Sequence, residues 1–160
     1  MSKFCLILIC CTAFFVEADA VLMFGRINET SPCLIAMCYE DSDCVPVGCD
    51  VDVYGRIGCG YFRLNKYQYQ QCYMPDRGEL SEEDGWMRCA HSYECSATCI
   101  KTVAARFRVK CYAKSVCETI ARLHDGGANG CRDRRTIEYW KKVESRCGDQ
   151  CNSDPIFKRH

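Results

Sequence analysis

The sequence predicts one α+β domain, mostly helical, with a small antiparallel β-sheet and a dense set of disulfides. Three observations carry this. Val51, Val53, Ile57, Tyr61 and Leu64 are interrupted by Gly55, Gly58 and Gly60, the pattern of short strands joined by glycine turns. Beyond Trp86 the apolar residues recur at three- and four-residue spacing, the helical period. The cysteines that remain after an N-terminal export leader form an even set, the signature of a disulfide framework in an oxidising compartment.

The leader is residues 1–20. Lys3 precedes an apolar run from Phe4 to Val16, and Ala18-Asp19-Ala20 has the small-x-small form of a signal-peptidase site, so the mature chain is expected to begin near Val21. The run is shorter than the roughly twenty residues a membrane span needs, and a secreted, extracellular product without a transmembrane segment is expected. Residues 21–32 are a short polar lead-in carrying a glycosylation sequon at Asn28. Residues 33–151 are the domain and 152–160 a tail. Losing Cys5, Cys10 and Cys11 with the leader leaves fourteen of seventeen cysteines, all expected to pair: Cys33, Cys38, Cys44, Cys49, Cys59, Cys72, Cys89, Cys95, Cys99, Cys111, Cys117, Cys131, Cys147 and Cys151. None of these stands in a Cys-x-x-Cys knuckle, and His91, His124 and His160 have no ligand spacing, so no metal and no cofactor is expected. Removing Lys3, Glu17 and Asp19 leaves 20 basic and 19 acidic residues, a balance that gives no sign of a nucleic-acid partner.

Taken in order, Leu34, Ile35, Met37 and Cys38 form one side of a short helix that starts at the Ser31-Pro32 junction and ends among Glu40, Asp41 and Asp43. Acidic groups oppose the dipole at a helix C-terminus, so stability alone did not select them. The glycine-punctuated strands follow the Val45-Pro46-Val47-Gly48 turn. Residues 73–85 are a polar loop with Pro75, Gly78 and Gly85. Cys95, Cys99 and Val103 then mark one helix, and Val116, Ile120, Leu123 and His124 a second, closed by Gly126 and Gly127. Ile137, Trp140 and Val143 mark a last helix from about Arg134 to Ser145.

Several stretches in this order resemble the invertebrate-type (destabilase) lysozymes. Gly48-Cys49-Asp50-Val51-Asp52-Val53-Tyr54-Gly55-Arg56-Ile57-Gly58-Cys59-Gly60-Tyr61-Phe62 is similar to the family pattern GCxxDxGSLSCGYF. Trp86 to Cys89, Cys95 to Cys99, the run Ala121 to Cys131 and Thr136 to Trp140 resemble its W-x-x-C, C-x-x-x-C, AR-x-HNGGP-x-GC and T-x-x-YW stretches. The resemblance implies a lysozyme-like fold and hydrolysis of the β-1,4 linkage between N-acetylmuramic acid and N-acetylglucosamine. The implied partner is bacterial peptidoglycan or a related amino-sugar polymer.

That chemistry needs one carboxyl protonated to donate to the leaving oxygen and a second kept ionised. The family's acid is the Glu of C-x-x-E-S-x-C. The same cysteine spacing in Cys38-Tyr39-Glu40-Asp41-Ser42-Asp43-Cys44 assigns Asp41 to that role, with Glu40 as an alternative if the helix end shifts by one residue. Asp52 falls on the second carboxylate. The Cys49 to Cys59 interval is one residue longer than the pattern, with Tyr54 or a neighbour the extra residue. Ala36 replaces a family cysteine, while Cys147 and Cys151 imply a rewired tail. Arg56, Gly58 and Asn65 occupy the positions of the Ser and Lys to which the family's isopeptidase activity is assigned, so that activity is not expected. Tyr61, Tyr69 and His124 are the expected substrate-binding residues, with Tyr61 and Trp86 open to a core role and His124 to a structural one. Turnover and glycan binding by a catalytically weakened lysozyme-like protein both fit these residues.

Overall fold

The computed structural model describes residues 31–153. The leader, the sequon at Asn28 and tail residues 154–160 lie outside the described residues. The first helix, α1 (Pro32–Ser42), is started by Ser31, whose hydroxyl accepts from the Leu34 N–H at 3.2 Å, with Pro32 in the first turn where its missing N–H costs nothing. It ends where Asp43 takes the left-handed conformation and donates to the carbonyls of Cys38 and Tyr39.

Three short strands follow, β1 (Val47–Val51), β2 (Ile57–Gly60) and β3 (Leu64–Asn65), antiparallel and in that spatial order, with a register break between Val47 and Asp50. The chain then runs through α2 (Lys66–Gln71), α3 (Glu82–Ala90), α4 (Tyr93–Phe107), α5 (Val116–Gly126) and α6 (Thr136–Cys147). Short 3-10 turns follow α4, α5 and α6. Helix α2 went unforeseen by periodicity. Asn65 accepts from the Gln68 N–H while Gln68 Oε1 accepts from the Asn65 N–H, a reciprocal cap that starts the helix directly off β3. The last helix begins and ends two residues later than its apolar spacing suggested.

Buried faces of α1, α4, α5 and α6 meet in one apolar cluster around Leu34, Met37, Phe62, Ile120, Leu123 and Val143. A second cluster under the sheet gathers Leu64, Tyr69, Trp86 and Val103, and the Trp86 indole N–H donates to the Leu64 carbonyl at 2.8 Å. Arg122, buried in α5, donates to Glu118, to the Thr136 hydroxyl and to the carbonyls of Cys131 and Asp133. A guanidinium so paired fixes the turn between α5 and α6.

All fourteen described cysteines pair, as Cys33–Cys117, Cys38–Cys44, Cys49–Cys59, Cys72–Cys99, Cys89–Cys95, Cys111–Cys131 and Cys147–Cys151. The tail is rewired onto itself, Cys147 with Cys151. Cys33–Cys117 spans 84 residues and Cys147–Cys151 only 4. The chain-entropy relation assigns about 4.6 kcal/mol to the first crosslink and about 1.9 kcal/mol to the second. Double alanine replacement of Cys33 and Cys117 is therefore expected to lower the urea midpoint at least twice as far as the same change at Cys147 and Cys151.

Candidate active site

The sheet and the helices face each other across a cavity of about 350 Å³ that takes Asp41, Asp50, Asp52, Tyr54, Arg56, Gln68, His124, Asp125 and Tyr139 among its walls. Asp41 stands in the last turn of α1 with its side chain 9% exposed. Its Oδ2 accepts from the Tyr139 hydroxyl at 3.1 Å and lies 3.1 Å from His124 Nε2.

The tautomer of His124 follows from Gln68. Because Gln68 Oε1 is committed to the Asn65 N–H, its Nε2 is the end turned to His124, donating to the His124 carbonyl at 2.8 Å and meeting Nδ1 at 3.2 Å. An amide nitrogen only donates, so Nδ1 accepts and the ring proton resides on Nε2, facing Asp41. Both donors thus converge on Oδ2. Among the described residues Asp41 Oδ1 has no protein partner. Burial pushes the Asp41 carboxyl above its ordinary value and outweighs the opposing pull of His124, Tyr139 and Arg63. The Tyr139 hydroxyl is pushed well above its usual value by burial and by Asp41, and so stays a donor.

Asp52 opens the turn between β1 and β2 and is held quite differently. Oδ1 accepts from the Tyr54 and Arg56 main-chain N–H groups, each at 2.8 Å, and Oδ2 from Arg56 Nε and Nη2, each at 2.6 Å. Burial is the largest single influence and raises the carboxyl, but the bonds and charge of Arg56 with the Tyr54 N–H together outweigh it and bring Asp52 below the usual carboxylate range. One cavity therefore holds one carboxyl biased toward the acid and one biased toward the anion. A third carboxyl, Asp125 at the end of α5, is pushed up, first by burial and then by Asp41 and Asp52, against His124 and Arg56.

The family model for destabilase matches residues 30–147. The chain belongs to the destabilase family. It is 34% identical to invertebrate-type lysozyme 3 of Caenorhabditis elegans over 138 residues, 84% of this chain and 98% of that one. It also superposes on the crystal structure of Tapes japonica lysozyme with a TM-score of 0.62 at 34% identity, covering 74% of this chain and 91% of that one. The inhibitor-bound lysozyme of Meretrix lusoria matches with a TM-score of 0.64 at 31% identity, covering 78% and 94%.

In this member of the destabilase family the expected site residues separate. Asp41, Asp52 and His124 share the cavity. Glu40 does not: its carboxylate pairs with Lys142 at 3.0 Å and Arg146 at 3.2 Å on α6, because neighbouring helical side chains diverge by about 100° and α1 continues through both residues. Tyr69 is fully buried and its hydroxyl donates to the Pro75 carbonyl at 3.0 Å, so it is core and no cleft platform. The Tyr61 ring packs edge-on against Tyr93 at 5.8 Å, outside the cavity lining. Gln68, Tyr139, Arg56 and Asp125 were missed. Tyr139 lay within the T-x-x-YW match and the Asn65-x-x-Gln68 cap was readable, yet nothing local links either residue to Asp41. Cys117, Cys147 and Cys151 bring their sulfurs within 4.8 Å of one another, but each is already in a disulfide and none offers a thiolate to a metal.

Proposed function

We propose that this member of the destabilase family is a secreted lysozyme that hydrolyses the β-1,4 linkage between N-acetylmuramic acid and N-acetylglucosamine in bacterial peptidoglycan, for defence against bacteria or their digestion. The opposed biasing of Asp41 and Asp52 on one cavity is the observation that carries it. Asp41 donates its proton from Oδ1 to the glycosidic oxygen while His124 and Tyr139 hold Oδ2 and bear the carboxylate that remains. The leaving bond breaks with positive charge developing on the sugar ring. Asp52, kept ionised by Arg56 and two main-chain N–H groups, faces that charge as nucleophile or electrostatic partner, and water completes the hydrolysis.

Turnover requires Asp41 protonated and Asp52 ionised. Activity is expected to rise with pH through the lowered Asp52 value and to fall as pH passes the raised Asp41 value, a window wider on both sides than two ordinary carboxyls allow. A pH profile of reducing-sugar release reads both limbs.

A second reading, glycan binding with little turnover, draws support from two features. Asp41 is one methylene shorter than the family's Glu, and an error of about 1 Å in placing an acid costs on the order of 100-fold. Arg56 also neutralises much of the Asp52 charge. Lysis of a Gram-positive wall suspension by the mature chain, beside Asp52→Asn and Asp41→Glu, separates the two. Clearing by the parent and not by Asp52→Asn supports the enzyme. An inert parent with an active Asp41→Glu supports the binding protein.

A further inference from the structure

The two walls of the cavity are tied to each other by the same side chain that helps keep Asp52 ionised. Arg56 leaves the β1–β2 turn and grips Asp52 Oδ2 on the sheet wall, while the second hydrogen of its Nη2 reaches the Asp125 carbonyl on the helical wall at 2.8 Å. A second tie runs beside the first. The Tyr54 ring lies 4.5 Å from the Arg56 guanidinium and 4.5 Å from that of Arg135, which is itself fixed by Asp133 at 2.7 Å.

Both ties come from departures in this sequence. Tyr54 belongs to an interval one residue longer than the family pattern, and Arg56 stands where that pattern has Ser, a side chain too short to cross between walls. A groove that accepts the interior of a long polymer must stay open between its walls. Here the walls are joined, and the remaining volume, about 350 Å³, is at the small end for a ligand pocket.

We propose that Arg56 is a specificity-determining residue: its bridge from Asp52 to the Asp125 carbonyl closes the cleft across its width and restricts it to short glycans or strand ends. The bridge is a charge-assisted contact on a partly exposed pair, so it restrains the walls without adding much to global stability. The inference rests on the glycan reading above and concerns which length of glycan enters.

The test compares the mature chain with Arg56→Ser in two binding assays that do not depend on turnover: calorimetric titration with N,N′,N″-triacetylchitotriose and sedimentation with insoluble peptidoglycan. Serine retains the main-chain N–H that Asp52 accepts from. The expected result for Arg56→Ser is a rise of about tenfold in the ratio of polymer affinity to trisaccharide affinity. Tyr54→Ala, which removes the second tie and leaves the Arg56–Asp52 pair in place, is expected to shift the same ratio in the same direction by less. It also serves if Arg56→Ser fails to fold. Loss of affinity for both ligands in proportion, or an unchanged ratio in both variants, overturns the proposal while leaving the glycan reading intact. A parent chain that binds neither ligand rejects the glycan reading and this inference together.

Discussion

Asp41→Asn is expected to abolish turnover and, at neutral pH, to make the protein more stable. The first effect follows from removing the only proton positioned at Oδ1, and loss of a general acid costs about 10²- to 10⁴-fold. The second follows from linkage. Burial raises the folded-state value of Asp41 above its ordinary 3.8, so the stability this group contributes is fully present below 3.8 and is lost as pH rises through the raised value. At pH 7, well above the ordinary value, the fold therefore bears the cost of burying this carboxyl, relieved only in part by His124 and Tyr139. Asparagine keeps an oxygen to accept from both donors and carries no charge. Thermal melts at pH 7 should show Asp41→Asn several degrees above the parent, and the gap should close below pH 3.8. A lower melting temperature at pH 7 would mean that the two hydrogen bonds outweigh burial, which removes the physical basis for Asp41 as a protonated acid. The trade of stability for a poised group is what an active site predicts and a solvated acidic helix end does not.

The architecture was legible where the signal is local and periodic. Cys95, Cys99 and Val103 announce α4, and the glycines between Val51 and Leu64 announce the hairpins, because each pattern is set within a few residues. The resemblance to the family's cysteine motifs also singled out Asp41 and Asp52, which share one cavity. What could not be read depends on long-range contact: His124 meets Gln68 across 56 residues of chain, and Arg56 meets the Asp125 carbonyl across 69. Tyr69 failed for a different reason. Helix α2 has six residues, too few for a periodic pattern to show which face turns inward, and Tyr69 sits on that inward face. Glu40 and Asp41 could be told apart only once the end of α1 was fixed at Ser42, since a one-residue shift exchanges the roles of adjacent side chains.

Gly60→Ala is expected to destabilise the protein by several kcal/mol and to disturb Asp41 at a distance. At Gly60 φ is +73°, where a side chain costs about 1–2 kcal/mol through its Cβ alone. The larger obstacle is space: a Cβ there would lie 1.7 Å from the Ala90 carbonyl oxygen and 2.2 Å from its carbon, main-chain atoms at the end of α3 that no rotamer change can move. Overpacking of this kind adds roughly 1–3 kcal/mol. Relief requires β2 and α3 to separate, which strains the Tyr61 N–H bond to that same Ala90 oxygen, 3.2 Å long. The Tyr61 carbonyl in turn accepts from the Ser42 hydroxyl at 2.7 Å, and Ser42 adjoins Asp41 at the end of α1. Stability and site geometry should therefore fall together. Gly48→Ala is the matched control, since its Cβ would meet nothing within 4 Å and its backbone has no positive φ. Urea denaturation of the oxidised chain should place Gly60→Ala well below the parent and Gly48→Ala within about 0.5 kcal/mol of it. Equal midpoints for the two variants would show that the junction of β2 with α3 yields. Asp41 would then owe its position to His124, Tyr139 and the Arg63 bond to its carbonyl, with no support through Tyr61 and Ser42.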